Sequence, residues 1–453
     1  MTTIYCADWL IPVSAGAIEG GALAVEGARV VGVGARAELI ARFPGAGREE
    51  FGEAAIVPGL VNCHSHLELT AMRGYLEDVE DFFLAWLRKL TVARNERMTL
   101  DDLRVSAAWG AVEAVRAGVT CVGDASDSGA TTARALGQVG LRGVVFQEAF
   151  GPDPSVAGEQ ATKLKEKVSQ AREAETELVR VGVSPHAPYT VSAPLFELLT
   201  EYASAEELPL MIHAAESRAE QLFMLEGAGP FAEVLRLRGI EWRAPGVSTV
   251  QYLKSLGVLA ARPLLAHCVH ADDADIAAIA DANASVAHCP KSNAKLGHGR
   301  APLAAMLRAG AGVGLGSDSV AANNICDLLE EARFAALASR AAGDKLEDER
   351  MVAAGDVLRA ATAGGAHALG LGRRVGALAE GLDADFAVVR LDAAHQQPVY
   401  DPASALVFSS SACDVLLTVV AGRELFRDGR VTSVDEEELR AGVREIKRKL
   451  AVV

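Results

Sequence analysis

The sequence predicts an α/β fold in which parallel strands alternate with helices. Eight short apolar segments recur through the middle of the 453-residue chain, separated by stretches rich in Ala, Glu, Arg and Leu. This alternation is typical of successive βα units. The candidate strands are residues 57–66, 119–125, 143–150, 178–186, 208–213, 263–267, 284–288 and 312–318. Eight units favour a (β/α)₈ TIM barrel, and a doubly wound open sheet is the alternative because a strand count does not establish closure.

Polar side chains at the ends of these segments favour the barrel. A histidine or an aspartate lies at or near the carboxyl end of six segments, namely Asp124, His186, His213, His267, His288 and Asp318. Barrel active sites are built at that face, where side chains from different strands reach one point. In an open sheet, strands far apart in the strand order do not all reach a common site.

The two ends of the chain predict a second, smaller domain. Residues 1–58 contain short strand-like segments separated by glycine turns, such as residues 29–33. Residues 373–453 offer matching segments, such as residues 415–420. We expect the two ends to form one composite β-sandwich, and residues 59–372 to form the barrel.

Composition and charge restrict the class of protein. The net charge is −16, from 44 basic and 60 acidic residues, which argues against a nucleic-acid partner. The seven cysteines are scattered and form no C-x-x-C pair, as expected in a reducing cytoplasm. The first residues lack the basic and apolar regions of a signal peptide, and no apolar run has membrane-spanning length. We therefore expect a cytoplasmic protein with a small-molecule substrate and no membrane partner.

The segment 57–66 carries the strongest functional signal. His64 and His66 are one residue apart, so in a strand both imidazoles point to the same side, where they can bind one metal ion. His213 and Asp318 end other predicted strands and complete a set of three imidazoles and one carboxylate. Zinc held by such a set lowers the pKa of a bound water to about 7. The structural alternatives are a backbone-bonded core histidine for His213 and a helix cap for Asp318.

Two further side chains complete a candidate catalytic centre. Glu216 follows His213 by three residues and is placed to move protons between that water and a substrate. We expect His267 to orient the water or to stabilise developing negative charge. Asp124 is interpreted as a loop or cap residue outside the site. Trp86, at helical spacing in its segment, is interpreted either as a core residue or as a residue lining the pocket.

The combined motifs resemble the amidohydrolase superfamily, within it the cytosine-deaminase-like branch of triazine hydrolases and adenosine-type nucleoside deaminases. The resemblance covers nearly the whole chain. The matching segments are residues 58–66, 118–120, 184–189, 213–216, 266–270, 287–296, 314–318 and 376–386.

This resemblance implies a barrel with a composite β-sandwich and one divalent metal, with Zn²⁺ favoured and Fe²⁺ or Mn²⁺ as alternatives. It implies Glu216 as the proton shuttle, His267 beside the attacking water and His186 facing the substrate. It also implies that Ser292 and Asn293 shape the pocket wall, and that the protein is a homodimer or a larger homo-oligomer. The full implied set of metal ligands is His64, His66, His213 and Asp318.

One departure from the family pattern bears on the metal count. Two-metal members carry a bridging lysine on an early barrel strand, whereas residues 144–149 here contain none. This favours a mononuclear site, with Glu148 as the alternative bridge to a second ion. Residues 66–70, which contain Glu68, resemble the subgroup that acts on 6-amino-6-deoxyfutalosine. We expect Glu68 either to bind a ribose hydroxyl or to form a salt bridge at the barrel mouth.

The predicted activity is metal-dependent hydrolytic deamination of an aminated purine nucleoside or a related N-heterocycle, with release of ammonia. The main alternative is hydrolysis of a triazine-type C–Cl or C–N bond, or of a cyclic amide, in the same mononuclear site. If the protein were a non-enzymatic scaffold, we would expect some of the metal ligands to be missing, but the sequence has all four. Methylthioadenosine, S-adenosylhomocysteine and aminodeoxyfutalosine are the candidate nucleosides.

Overall fold

A computed structural model describes residues 1–347 and 349–451 and has a mixed α/β fold. The strands of the two ends are β1 (Thr2–Cys6), β2 (Trp9–Leu10), β3 (Ile18–Glu19), β4 (Gly21–Glu26), β5 (Arg29–Ala35), β6 (Gly47–Glu50), β7 (Ala54–Pro58), β16 (Phe386–Arg390), β17 (Val415–Val420), β18 (Arg423–Arg427) and β19 (Arg430–Val431). The strands between them are β8 (Leu60–Ser65), β9 (Val119–Ser126), β10 (Arg142–Ala149), β11 (Val179–Pro185), β12 (Met211–Ala214), β13 (Leu264–His267), β14 (Ser285–His288) and β15 (Gly312–Leu315).

Helices separate these strands. The α-helices are α1 (Arg36–Arg42), α2 (Phe83–Arg97), α3 (Leu100–Arg116), α4 (Gly129–Val139), α5 (Ala157–Arg172), α6 (Ala193–Ala205), α7 (Arg218–Glu226), α8 (Gly229–Leu237), α9 (Thr249–Ser255), α10 (Asp273–Asp281), α11 (Pro290–Lys295), α12 (Leu303–Arg308), α13 (Val320–Asn323), α14 (Leu328–Ala341), α15 (Ala354–Arg359), α16 (Gly365–Ala368), α17 (Pro402–Ser409) and α18 (Glu436–Ala451). Short 3₁₀ turns cover Leu67–Met72, Glu77–Val79, Pro154–Val156, Val258–Ala261 and Ala412–Asp414, and a π-helical turn covers Ala360–Gly364. No α-helix within the described residues is both long and apolar enough to cross a membrane.

Each predicted central segment contains a strand, and these strands form two parallel four-stranded sheets. The orders are β11-β10-β9-β8 and β12-β13-β14-β15. All residues of β9 and β10 are buried. Burial along their whole length explains why apolar residues fill the middle of each strand, and the polar residues at the strand ends are buried as well.

The predicted strand 57–66 was wrong in one respect, because it is two strands in two different sheets. β7 ends at Pro58 and pairs with β16, whereas β8 begins at Leu60 and pairs with β9. Gly59 separates them, and a Cβ atom there would lie 2.0 Å from Oγ1 of Thr120. Only glycine allows this approach, so the chain passes from one sheet to the other at that point.

Contacts join the two parallel sheets at both edges. On one side, Val183 forms a β-bridge with Leu210. On the other side, the amide of Asp318 donates to the carbonyl of His64 at 2.9 Å. Asn62 adds a pair of hydrogen bonds with Ser317, because its Nδ2 donates to Oγ at 2.7 Å while its Oδ1 accepts from the amide at 2.9 Å. These bonds bring the carboxyl ends of β8 and β15 together.

The two ends of the chain share one sheet. Its order is β19-β18-β17-β16-β7-β2-β3, and the antiparallel pair β7–β16 joins the N-terminal and C-terminal segments. A second sheet, β5-β4-β1-β6, comes entirely from the N-terminal segment. Leu23 of this second sheet belongs to the same buried apolar cluster as Ile56 and Phe386 of the first. The two sheets therefore share an apolar core.

Candidate metal and catalytic site

The four predicted metal ligands lie together at the carboxyl ends of the parallel strands. Nε2 of His66 lies 3.3 Å from Nε2 of His213. Oδ1 of Asp318 lies 3.6 Å from Nε2 of His64 and 3.6 Å from Nε2 of His66. Ligands at about 2.1 Å from a tetrahedral zinc ion are separated by about 3.4 Å. Nε2 of His64 is buried without a hydrogen-bond partner, as expected for an atom whose partner is a metal ion.

Neighbouring groups fix the orientation of these ligands. Nδ1 of His213 donates to the carbonyl of His186 at 3.2 Å, which directs Nε2 toward the cluster. The carboxylate of Asp318 accepts from the Ser292 hydroxyl at 2.5 Å and from the Ser319 amide at 2.7 Å. Asp318 has a φ of 58°, a left-handed conformation that turns its side chain toward the histidines instead of continuing the strand.

The interpretation of Asp124 as a loop or cap residue was wrong. It lies within β9 and is completely buried. Its Oδ2 accepts from the Ser65 hydroxyl at 2.9 Å and from the Leu67 amide at 2.6 Å. Asp124 therefore holds the chain on both sides of His66.

Glu216 and His267 form the predicted pair beside the cluster. Oε1 of Glu216 lies 3.6 Å from Nε2 of His267. Nδ1 of His267 donates to Oδ1 of Asn293 at 2.9 Å, so its Nε2 faces the site. His298 lies on the other side of Glu216, with its Nε2 at 3.5 Å from Oε1. Sequence reasoning missed His298, which stands between two glycines in a turn and belongs to no recognisable metal or catalytic motif.

The electrostatics of the site favour neutral imidazoles and ionised carboxylates. Burial lowers the pKa of His64, lowers that of His66 to about 3 and lowers that of His213 well below its usual range. Neutral imidazole is the form that binds metal ions. Burial opposes ionisation of Glu216, but the nearby His267 and His298 outweigh it and lower the pKa of Glu216 to about 2.

His267 is the exception among the histidines. Burial lowers its pKa, but the charges of Glu216 and Asp318 have the larger combined effect and raise the pKa above the ordinary value. The pKa of Asp318 is correspondingly lowered below its usual range against the effect of burial, by the imidazole of His64, whose Nε2 lies 3.6 Å from Oδ1, and by the charge of His267. The site thus holds ionised acceptors beside an imidazole that favours a proton.

Comparison with known proteins identifies the family. The sequence profile of the Amidohydrolase family matches residues 55–425. The chain belongs to the amidohydrolase family. It is 35% identical over 438 residues to a 5-methylthioadenosine/S-adenosylhomocysteine deaminase of Nitratidesulfovibrio vulgaris strain DSM 19637 / Miyazaki F, covering 95% of this chain and 93% of the relative. A protein of the same name from Haloarcula marismortui is 34% identical over 395 residues, covering 86% and 85%.

Solved structures agree with this assignment. A zinc-bound adenosine deaminase from Xanthomonas campestris matches this amidohydrolase with a TM-score of 0.86 and 28% identity, over 100% of this chain and 99% of that one. A guanine deaminase from C. acetobutylicum with bound guanine matches with a TM-score of 0.78 and 20% identity, over 94% and 100%. The second similarity concerns the fold alone.

Three of the predicted substrate-facing residues of this amidohydrolase lie beside the cluster. The ring of His186 lies 4.6 Å from that of His213 between centroids, and its Nδ1 is 2.8 Å from the Thr190 hydroxyl oxygen. Ser292 and Asn293 are buried, and their side chains bond Asp318 and His267. Both therefore position other side chains of the site.

The other two predicted substrate-facing residues are engaged in packing and ion pairing. Glu68 is buried, and its Oε1 accepts from Nε of Arg94 at 2.7 Å, the salt bridge that was the alternative prediction. Its Oε2 accepts from the Ser126 hydroxyl at 2.8 Å. Trp86 is 6% exposed and belongs to a buried apolar cluster with Leu69, which favours the core role.

Aromatic side chains lie beside His298 and His186. The ring of Phe83 lies 4.5 Å from that of His298, edge to face. Tyr189 and Phe231 stack at 3.9 Å, and Phe83 contacts Phe231. Apolar and aromatic walls around a few polar groups are typical of pockets for planar heterocycles.

Proposed function

We propose that this amidohydrolase hydrolytically deaminates a purine nucleoside, with adenosines substituted at the 5′ position as the substrate class. The observation that carries the proposal is the position of Glu216 and His267, 3.6 Å apart, directly beside the cluster of His64, His66, His213 and Asp318. The two relatives match this chain over most of its length, and their names, 5-methylthioadenosine/S-adenosylhomocysteine deaminase, support the substrate class.

We propose that His64, His66, His213 and Asp318 hold one divalent ion, with zinc favoured over iron and manganese. The residues fit such an ion, because the unpartnered Nε2 of His64 faces Asp318 and because burial lowers the pKa of all three imidazoles, which favours the neutral form that binds metal. When bound, the ion supplies a Lewis acid that makes water nucleophilic near neutral pH.

The side chains of this chain then move the protons. Glu216, which is ionised, accepts one proton from the attacking water and delivers it to the ring nitrogen next to the amino-bearing carbon. His267, held by Asn293, donates a hydrogen bond to the attacking oxygen and stabilises its developing charge. The second proton of the water leaves with the amino group, so that ammonia and a ring carbonyl are the products.

Contacts between the sheets support a closed (β/α)₈ barrel with a composite β-sandwich. We propose that residues 59–372 form the barrel, because hydrogen bonds join its two sheets at Val183–Leu210 and at His64–Asp318. We propose residues 1–58 and 373–453 as the sandwich, since their two sheets share one apolar cluster.

The experiment is ammonia release by metal-analysed protein from a panel of substrates. The panel contains adenosine, methylthioadenosine, S-adenosylhomocysteine, aminodeoxyfutalosine, guanine, cytosine and a chlorotriazine. Ammonia from an adenine nucleoside, with about one metal ion per chain, supports the proposal. Chloride from the triazine without any ammonia would establish the alternative activity instead.

Replacing Glu216 by glutamine removes the proposed proton shuttle and retains its shape. We expect Glu216→Gln to bind metal normally and to lose about 10²–10⁴-fold in kcat. Glu226→Gln is the matched control, because Glu226 is exposed at the end of α7. Near-normal activity in Glu216→Gln would refute the role of Glu216.

The cellular compartment and the oligomeric state stay predictions. We propose a cytoplasmic homodimer or larger homo-oligomer. Six of the seven cysteines are buried free thiols, which supports a reducing compartment. Light scattering of the purified protein tests the oligomeric state, and a monomer at micromolar concentration would contradict it.

A further inference from the structure

Glu148 has no role in the proposed chemistry, although its carboxyl group is buried beside the site. It is the penultimate residue of β10 and is 7% exposed. Its Oε1 is buried without a hydrogen-bond partner, and among the described residues Glu148 forms no ion pair. An unpartnered buried carboxyl oxygen is costly, so such a group indicates a partner supplied from outside the chain.

The neighbouring cation does not neutralise this carboxyl group. Arg94 is already bonded to Glu68 at 2.7 Å, to Asp127 at 3.0 Å and to the Ser128 hydroxyl at 2.8 Å. Its guanidinium is therefore occupied by other groups, and the environment of Glu148 is acidic.

His186 presents a second free acceptor next to Glu148. The Thr190 hydroxyl donates to the carbonyl of Ala187 at 3.1 Å, so its oxygen accepts from Nδ1–H of His186 at 2.8 Å. The remaining Nε2 of a neutral His186 then carries a lone pair. Glu148, His186 and His213 each have one oxygen or nitrogen atom that could bind a metal ion. These three atoms lie within 4.8 Å of one another, beside the proposed reaction centre.

A second metal ion fits this trio less well than a hydrogen-bond donor does. Nδ1 of His213 donates to the carbonyl of His186, and its Nε2 faces His66 at 3.3 Å. His213 therefore has no lone pair left for another ion. Glu148 and His186 alone provide two ligands, fewer than the three or four that a protein zinc site uses.

We propose that Glu148 and His186 together bind the vicinal hydroxyl groups of the substrate's ribose. Two neighbouring acceptors match two neighbouring hydroxyl donors. The ring nitrogens N1, N3 and N7 of adenine are acceptors, and its amino group is the leaving group at the proposed reaction centre, so the base offers these two acceptors no free donor. Glu148 is then a specificity residue that distinguishes ribonucleosides from deoxynucleosides. This inference rests on the proposed function, because it assigns the sugar subsite of the same reaction.

The test compares an adenine nucleoside with its 2′-deoxy and 3′-deoxy analogues. We expect the wild-type enzyme to use at least one deoxy analogue with a kcat/KM about 10-fold or more below that of the ribonucleoside. In Glu148→Ala the ribonucleoside should lose this advantage while the deoxy analogue changes little. Glu148→Gln preserves the shape of the side chain, and Glu159→Ala, on an exposed position of α5, is the control.

Several results would overturn the inference. Equal kcat/KM for all three wild-type substrates would do so, as would an equal loss for ribo and deoxy substrates in Glu148→Ala. A fall from two zinc ions to one in Glu148→Ala would identify a metal site instead. If no nucleoside yields ammonia, the proposed function fails. Calorimetric binding of inosine and its deoxy analogues to wild type and Glu148→Ala then still decides whether Glu148 reads the hydroxyls.

Discussion

The two ends of strand β10 carry buried charges in opposite situations. At its amino end, Arg142 is 1% exposed and donates to both carboxylate oxygens of Asp385, at 2.8 and 2.9 Å, with Asp383 at 2.9 Å. At its carboxyl end, Glu148 is nearly as buried and has an oxygen without a partner. Both groups lost their hydration on folding. Arg142 regained hydrogen bonds through Nε and Nη2, although its Nη1 has no hydrogen-bond partner, whereas Oε1 of Glu148 regained none.

The difference separates stability from function along one strand. The ion pairs of Arg142 with Asp383 and Asp385 link the parallel sheet to the residues just before β16. Their role is therefore to join the central sheet to the C-terminal segment. The carboxyl ends of the parallel strands keep unbonded atoms, including Oε1 of Glu148 on β10 and Nε2 of His64 on β8. Unsatisfied groups at functional sites are common because the ligand satisfies them.

Removing the amino-end charge should have the largest effect on stability. We expect Arg142→Met to leave Asp385 buried without an ion-pair partner and to lower the free energy of unfolding by about 3–5 kcal/mol, whereas Asp383 keeps its pairs with Arg29 and Arg374. The kcat of the folded fraction should change little. Urea unfolding and activity per folded molecule measure the two quantities.

The matched control for this change is an exposed ion pair. Arg390 and Asp392 form one at 3.0 Å, with both side chains nearly half exposed. Arg390→Met should cost no more than about 1 kcal/mol. If Arg142→Met is equally mild, the amino-end cluster is not a stabilising element and the comparison fails.

Histidines at the carboxyl ends of the parallel strands should make the stability of the metal-stripped protein depend on pH. Burial lowers the pKa of His66 to about 3, of His186 to about 4 and of His288 to about 3, against an ordinary 6.5. Below pH 6.5 the unfolded chain therefore binds more protons than the folded chain. The stability that these buried neutral histidines contribute is fully present above pH 6.5. As the pH falls below 6.5, the free energy of unfolding decreases by about 1 kcal/mol per pH unit for each histidine.

Unfolding midpoints at pH 7.5 and 5.5, with chelator and with zinc, measure this dependence. His288→Gln should reduce the difference between the two pH values, because it removes one of the three groups. Zinc should make the acid loss steeper, since protons compete with the ion for the histidines. A midpoint that is independent of pH without metal would contradict the neutral, buried state of these imidazoles.

The smallest expected effect concerns the hydroxyl that holds Asp318. Ser292→Ala removes the 2.5 Å bond to Oδ2 of Asp318 and should weaken zinc binding by about 10-fold without unfolding the protein. Chelator competition measures this change. Ser155→Ala, in an exposed turn, is the control, and equal zinc affinities in the two variants would show that Ser292 does not position the ligand.

Much of the fold and site could be predicted because the signals are local. The spacing of His64 and His66, the three-residue step from His213 to Glu216 and the alternation of apolar segments with helices are properties of short stretches of chain. The family and the deaminase activity predicted from these motifs agree with the relatives, and each predicted central segment contains a strand.

The sequence by itself determined which residues are the candidates for the chemistry and where the central strands lie, since both follow from residue type and spacing. Only the tertiary structure decided that Asp124 holds the chain around His66, that His298 flanks Glu216 and that Glu68 is bonded to Arg94. These partners come from separate elements, so no local pattern relates them. Likewise, no local sequence pattern predicts the φ of 74° at His267. A side chain's chemistry is written in the sequence, but its neighbours are set by the packing of distant segments.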